Sequence, residues 1–378
     1  KGQNEVAVEN DSILMAYYKK CKANLDSPIA LDMCDTLFVR SEKAGNRRLM
    51  AIAKCLKLDY YYYKNDEENI LKSVKEAKLI SRKYNQLKYY YFAWSKRLIN
   101  HYIKQYQYNT ALYEANKMMK EAEQEKYMEG IASAYNVLTS IYQFKHLFNL
   151  AIENKRKEIE IILQYDLDKY NISTAYSVLA YLYSESGETD KTLECLQESA
   201  AYLYSSTHEF HHYTRFAQYY TNIGDFPQAW KYLEKARELS ETKKEVQKNL
   251  QEYYEVLKKY YVNIKQYEKA LKAQDHITTL SGRNTEQNIE AALNRASIYY
   301  KMGNMSQAAQ YYNEYYILND SVQKRNENIA AGEFAAILGV ERLNLEKSEL
   351  QQQMQQRDLI NKQRIIIFLI ALLACLLY

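Results

Sequence analysis

The chain is short of the residues that usually form turns. Its 378 residues include only nine glycines and two prolines, far below their usual frequencies of about 7 % and about 5 %. Sheet proteins need these residues at their turns, and nucleotide enzymes need glycine in their phosphate loops. The composition therefore argues against both classes and predicts an almost entirely helical protein.

An excess of one charge is also missing. The sequence has 51 basic and 47 acidic residues, a formal net charge of +4, and 47 % hydrophobic residues. A dedicated nucleic-acid-binding protein would carry a larger basic surplus, and a disordered chain would carry fewer apolar side chains. We therefore expect a folded protein that binds no nucleic acid.

Motifs that carry chemistry are missing as well. There is no glycine-rich phosphate loop, no His-Glu-x-x-His and no Cys-x-x-Cys, and the five cysteines are an odd number without motif spacing. His208 and His212 stand one helical turn apart, as metal ligands can, but the polar start of a helix is the favoured interpretation. We predict no enzyme activity, catalytic residue, metal site or cofactor for this chain.

What the sequence does contain is a repeated unit of about forty residues. Each copy has a helix that ends near a tyrosine, a short polar turn, and a second helix that opens with a small residue. The clearest copies are SGETDKTLECL, IGDFPQAWKYLEKA, IKQYEKALKA and MGNMSQAAQYY. The opening residue of the second helix aligns through eight copies at Ala30, Ile70, Ala111, Ala151, Thr192, Ala229, Ala270 and Ala308.

An aromatic residue precedes these positions at a fixed distance. Small side chains let two helices cross closely, and a tyrosine supplies a large flat surface between neighbouring hairpins. A single hairpin cannot bury its apolar face alone, so each must stack on the next. The residue nine positions earlier is Cys21 in the first copy and otherwise Tyr61, Tyr102, Tyr142, Tyr183, Tyr220, Tyr261 and Tyr299.

This spacing resembles the tetratricopeptide repeat, most clearly in residues 210–240 (FHHYTRFAQYYTNIGDFPQAWKYLEKARELS). The resemblance implies an all-α protein: a right-handed α-solenoid of about eight helical hairpins over residues 11–320, after an extension of residues 1–10, followed by a long C-terminal helix. The family's period is 34 residues, so we expect longer helices or linkers here. The turn glycine of the family is present in three copies, at Gly187, Gly224 and Gly303.

In such an array the first helix of each hairpin lines a concave face. The inward positions, counted back from the aligned small residue, carry hydrogen-bonding and almost uncharged side chains. We expect them to bind extended peptide backbone or a sugar, and a hydrated surface that binds nothing is the alternative. The candidate residues are Asn136, Ser140, Gln143, Ser177, Tyr181, His211, Thr214 and Gln218.

The C-terminal part changes character. Residues 365–378 (IIIFLIALLACLLY) are an unbroken apolar run, shorter than the span of about 20 residues that crosses a bilayer. The run predicts the start of a transmembrane helix that continues beyond Tyr378, with a buried core helix as the alternative.

Residues 321–364 are predicted to form a juxtamembrane helix that is continuous with this run, from Val322 to Tyr378. It is either a marginal coiled coil in a parallel homodimer or a single solvated helix. The seam is poor because Lys347, Arg357 and Asn361 fall at core-like positions.

The order of array, charged helix and apolar run is similar to that of bacterial membrane-anchored sensors. In those proteins an exported tetratricopeptide array precedes one span and a cytoplasmic histidine kinase or helix-turn-helix DNA-binding module. The run Gly332–Leu350 resembles their juxtamembrane linker. The resemblance implies a region that senses a ligand or protein, with its array in the periplasm, one span in the inner membrane, and the output module outside this chain.

The alternative is a tail-anchored cytoplasmic scaffold that binds peptides of partner proteins. The basic residues Arg357, Lys362 and Arg364, directly before the apolar run, favour this alternative.

Overall fold

A computed structural model describes residues 3–281 and 285–376, with the backbone alone at 3–11, 281, 285–287 and 364–376. These residues contain no strand. The α-helices are α1 (Gln3–Ala23), α2 (Ile29–Lys43), α3 (Arg47–Lys64), α4 (Glu67–Lys83), α5 (Leu87–Phe92), α6 (Asn100–Lys104), α7 (Tyr108–Glu125), α8 (Met128–Phe144), α9 (Phe148–Gln164), α10 (Ile172–Glu185), α11 (Thr189–Ser199), α12 (Ser206–Ile223), α13 (Phe226–Thr242), α14 (Leu250–Asn263), α15 (Tyr267–Ser281), α16 (Thr285–Lys301) and α17 (Met305–Leu376).

Consecutive helices pair as eight hairpins in the described part of the chain, beginning with α1 and α2. The last hairpin joins α16 to the start of α17, where the ring of Tyr299 stacks on that of Tyr311. The first helix of the third hairpin consists of α5, a π-helical segment (Ala93–Ile99) and α6. Three short 3-10 segments lengthen the links between hairpins, at Lys169–Asn171, Ala200–Tyr202 and Lys244–Asn249. The protein is therefore an all-α, tetratricopeptide-like solenoid, as the repeat predicts; its right-handed sense stays a prediction.

The aligned small residues lie at the contacts between paired helices. All eight, from Ala30 to Ala308, are at most 4 % exposed. The first helices of the hairpins also carry small residues at these contacts: Ala180, Ala217 and Ala296 are at most 1 % exposed. The predicted packing register is therefore confirmed.

The turn inside a hairpin has the same backbone conformation in seven hairpins of the described chain. The residue five positions before the aligned small residue has a positive φ in each, between 56° and 81°. Only three of these residues are the predicted glycines, and the others bear side chains. The seven are Asn65, Tyr106, His146, Gly187, Gly224, Lys265 and Gly303.

The tyrosine runs divide between core and solvent, as consecutive helix positions must. Tyr62 and Tyr91 are 8 % and 2 % exposed, whereas Tyr63 is 63 % exposed. Tyr220 and Tyr299 stack on Tyr232 and Tyr311 of the paired helices. The tyrosine excess is thus mainly packing between helices, as predicted.

Helix α17 begins at Met305, earlier than the predicted Val322, because no proline or left-handed residue ends the second helix of the last hairpin. The chain divides into two compact units after Asn326, whereas the sequence placed a boundary after residue 320. Within the second unit, the described apolar side chains are largely in solvent: Leu343, Leu350 and Met354 are 60–65 % exposed.

Two predicted segments lie at the ends of the chain. The side chains of residues 1–10 and 365–378, the predicted extension and membrane run, lie outside the described residues. Within the described part, no helix is both long and apolar enough to cross a membrane.

Candidate functional site

An open groove of about 600 Å³ runs across the first helices of the last four hairpins, α10, α12, α14 and α16. Helix α12 lies between α10 and α14 and contacts both. We name this the Arg215 groove. Its lining residues are Tyr181, Glu185, Arg215, Gln218, Gln251, Glu252, Glu255, Val256, Lys258, Lys259, Val262, Glu290, Asn294, Ser297 and Ile298.

Arg215 is held in this groove by three neighbouring side chains. Its Nη1 donates to Gln218 Oε1 at 2.7 Å, and its Nη2 lies 2.9 Å from Glu252 Oε1 in an ion pair. The guanidinium carbon stands 5.0 Å from the centre of the Tyr181 ring, within range of a cation–π contact. These contacts fix the guanidinium across α10, α12 and α14.

Glu252 is bound from a second direction by His211, whose Nδ1 lies 2.6 Å from Glu252 Oε2. Burial works to raise the pKa of this carboxyl group, but the Arg215 charge and the His211 hydrogen bond lower it overall. Glu252 is therefore a carboxylate at neutral pH, and it links two residues of α12 to α14.

A second ion pair lies in the same groove. Lys258 is 8 % exposed, and its Nζ donates to Glu255 Oε2 at 2.5 Å and to Gln274 Oε1 at 3.2 Å. Lys258, like Arg215, is thus paired with a glutamate within the protein.

Two buried donors in the groove have no such partner. Arg215 Nε and Asn294 Nδ2 are shielded from solvent and make no hydrogen bond. A buried donor without an acceptor costs about 1–3 kcal/mol. A ligand that supplies acceptors at these atoms would remove this cost.

A further opening, of about 480 Å³, lies between α8, α9 and α10 and reaches the π-helical segment. We name it the Lys155 groove. Its lining residues are Lys96, Glu129, Ala132, Ser133, Asn136, Lys155, Glu158, Ile162, Leu167, Asp168, Asn171, Thr174, Ala175 and Val178.

Lys155 is one of the most buried charged residues of the described chain, at 2 % exposed, beside Glu158 at 8 %. Its Nζ donates to Glu158 Oε2 and, at 2.9 Å, to Asn136 Oδ1. Burial lowers the pKa of the neighbouring Lys96, although the charge of Glu158 opposes this.

The structure distributes the predicted site residues over several environments. Tyr181 and Gln218 line the Arg215 groove, His211 pairs with Glu252, and Asn136 lines the Lys155 groove. The remaining four line neither groove. Ser140 donates to the Asn136 carbonyl and Gln143 is half-buried, while the hydroxyls of Ser177 and Thr214 are buried without a hydrogen-bond partner.

The sequence reasoning missed the charged residues of the grooves, which it expected to be almost uncharged. A signal was available, because His211 and Glu252 both stand 18 residues before their aligned alanines, Ala229 and Ala270. Residues at equal offsets in successive repeats face each other. A histidine and a glutamate at such positions therefore predict a hydrogen-bonded pair.

The histidine cluster lies at the start of α12, where Ser205 Oγ accepts from the His208 backbone N–H. His208 and His212 are both buried, and His212 Nδ1 lies 2.9 Å from Ser199 Oγ. Among the described residues, no group of three or more His, Cys, Asp or Glu side chains is arranged to hold a metal ion.

No protein-family model and no curated protein matches the chain. Among solved structures, it is similar to a tetratricopeptide repeat protein from Parabacteroides merdae, with 13 % identity, coverage of 74 % of this chain and 98 % of that chain, and a TM-score of 0.48. It is also similar to aspartyl phosphate phosphatase F from Bacillus subtilis, with 12 % identity and a TM-score of 0.49. That match covers 84 % of this chain and 73 % of the phosphatase chain. A third similar structure is the apo form of RapI, with 11 % identity and a TM-score of 0.46. That match covers 82 % of this chain and 99 % of the RapI chain. These likenesses are general, and the chain's own hairpins establish the fold.

Proposed function

We propose that the chain is a protein-interaction module whose Arg215 groove binds an extended segment of a partner protein. The observation that carries this proposal is the convergence of four successive first helices on one open groove of about 600 Å³. Cavities of this size hold ligands of several hundred Å³. The groove combines the phenol of Tyr181, the amides of Gln218, Gln251 and Asn294, and paired charges, a mixture suited to peptide groups.

Selection of peptides tests this proposal. Random peptides displayed on phage would be selected on the purified 378-residue chain, and the enriched peptides measured by fluorescence anisotropy. We expect Gln218→Ala and Tyr181→Phe each to weaken binding about fivefold, since a lost hydrogen bond is worth about 1 kcal/mol.

The matched control is Glu238→Gln, on the exposed face of α13 and outside the groove. It should bind the peptides as the unmodified chain does. Enriched peptides that bind all four proteins equally would place the binding surface elsewhere, and the absence of any enriched peptide would contradict peptide binding.

We further propose that this module is the sensing region of a membrane-anchored bacterial signal-transduction protein, with its array in the periplasm. The order of the sequence supports this: a hairpin array, then a continuous helix, then the apolar run of residues 365–378. Binding in the array would alter the last hairpin, whose second helix is the beginning of α17.

The second candidate is a tail-anchored scaffold whose array faces the cytoplasm. The specific observation in its favour is the set of basic residues Arg357, Lys362 and Arg364 directly before the apolar run, which the positive-inside rule assigns to the cytoplasmic side.

Cysteine labelling in cells separates the two. Cys21, Cys34, Cys55 and Cys195 are buried, so a new cysteine at the exposed Ser348, in a Cys375→Ser background, would report the side of the membrane. Labelling of intact spheroplasts by an impermeant maleimide supports the sensor. Labelling only after lysis supports the scaffold.

A further inference from the structure

The carboxylates of the Arg215 groove outnumber its cations. Four glutamates line the groove against one arginine and two lysines. Two of the three cations are already committed, Arg215 to Glu252 and Lys258 to Glu255. The remaining carboxylates, Glu185 and Glu290, are exposed and make no ion pair within the described chain, and Lys259 is the one cation left to balance them.

These two carboxylates line the groove together with Tyr181, although they belong to different helices. Burial raises the pKa of Tyr181, and the negative charges of Glu185 and Glu290 raise it further, against the opposing Arg215. Both carboxylates are therefore within electrostatic reach of the Tyr181 hydroxyl. Glu185 lies one turn after Tyr181 on α10, and Glu290 comes from α16 across the groove.

The unpartnered donors indicate what else the ligand must supply. An arginine Nε can only donate a hydrogen bond, and the Asn294 Nδ2 atom is likewise a donor. Both are buried without acceptors. Peptide carbonyl groups are acceptors that lie at regular intervals along an extended chain, so a polypeptide can meet both needs at once.

Resting on the function proposed above, we infer that the bound segment carries a basic side chain. The charged end of a lysine or arginine lies between Glu185 and Glu290, and backbone carbonyls of the same segment accept from Arg215 Nε and Asn294 Nδ2.

An acidic segment fits less well. Its carboxylate would approach Glu185 and Glu290, and the Arg215 guanidinium, the group that could offset this repulsion, is already in an ion pair with Glu252 and hydrogen-bonded to Gln218. A neutral segment could satisfy the two donors but would leave both carboxylates without a cation.

Three pools of fluorescein-labelled peptides test this inference, identical in their random flanks and differing only in a fixed central lysine, glutamine or glutamate. Anisotropy titrations would use the purified 378-residue chain. We expect the lysine pool to bind about tenfold more tightly than the glutamine pool, and the glutamate pool to bind most weakly. Raising the salt from about 50 to about 300 mM should reduce the advantage of lysine, because exposed charges are screened at that ionic strength.

Variants assign the effect to the two carboxylates. The double variant Glu185→Gln/Glu290→Gln should lower the affinity of the lysine pool to that of the glutamine pool. Glu238→Gln, the matched loss of one carboxylate on α13, should change nothing. Glu290→Lys should reverse the order and favour the glutamate pool, a gain of binding that a misfolded protein could not show.

The outcomes separate this inference from the proposed function. If all pools bind alike and Gln218→Ala weakens all of them, the groove binds peptides but does not select a basic residue, and the inference is overturned. If no pool binds, both the inference and the peptide-binding function fail.

Discussion

The two grooves share helix α10, and the ion pairs formed by the residues after which they are named, Lys155 and Arg215, are buried to different degrees. In the Lys155 groove, Lys155 and Glu158 are 2 % and 8 % exposed. In the Arg215 groove, the side chains of Arg215 and Glu252 are 21 % and 20 % exposed, and a donor of the arginine lacks a partner. The more buried pair finds its partners within the protein, whereas the less buried pair leaves one arginine donor without an acceptor.

Removing one member of the buried pair should have the largest effect. Lys155→Met leaves the Glu158 carboxylate buried without its cation, and we expect the free energy of unfolding to fall by about 3–5 kcal/mol. Urea denaturation followed by circular dichroism measures this. The double variant Lys155→Met/Glu158→Leu should recover most of the loss, and a double variant as unstable as the single one would contradict this account.

Acid should lower the free energy of unfolding through His212, which lies on the same helix as Arg215. Burial lowers the pKa of His212, on α12, from 6.5 to about 4. The unfolded chain therefore takes up a proton that the folded chain does not, so stability that is present above pH 6.5 is lost as the pH falls towards 4. The loss is on the order of 3 kcal/mol.

The check is the pH dependence of the free energy of unfolding in the unmodified chain and in His212→Gln. The variant should lose less stability over this interval. Equal slopes in the two proteins would show that His212 is not responsible.

The Arg215–Glu252 pair, which is less buried than the Lys155–Glu158 pair, should contribute less to stability. Arg215→Met leaves Glu252 with His211 and with solvent, so we expect a loss of about 1–2 kcal/mol in the free energy of unfolding. The same urea titrations apply. A loss as large as that of Lys155→Met would erase the distinction between the two grooves.

The smallest expected effect is an increase in stability. The lowered pKa of Lys96 means that the fold disfavours its ammonium form, and this penalty is present at neutral pH and is relieved as the pH rises towards 10.5. Lys96→Met should therefore raise the free energy of unfolding, by no more than about 1 kcal/mol. The exposed Lys259, replaced in the same way, should leave the stability within about 0.5 kcal/mol.

The sequence predicted the hairpins well because their packing is periodic. A small residue such as Ala229 recurs wherever two helices cross, and its spacing identifies both helices and their register. The charged grooves were harder, since Arg215 and Glu252 are 37 residues apart and meet only after two hairpins have stacked.

Burial also separated residues that look alike in the sequence. Thr214 and Gln218 are both polar, and both were predicted to face the ligand, yet Thr214 is fully buried and Gln218 lines the groove. A one-turn difference along a helix cannot be resolved from a repeat whose boundaries vary by several residues. The start of α17 was misplaced for a related reason, because an array helix and the following helix have no sequence break between them.

The conserved turn geometry has a consequence for how such a chain can evolve. Seven turns hold a left-handed residue five positions before the aligned small residue, whether that residue is glycine, asparagine, histidine, tyrosine or lysine. The residue type at this position can therefore change from copy to copy, but the number of residues in the turn cannot. One inserted residue would rotate the second helix by about 100° relative to the first, and would turn the small residue away from the crossing. Copies can therefore differ by substitution within the turn, while the interval between successive aligned small residues varies from 37 to 41 residues through changes outside the turn.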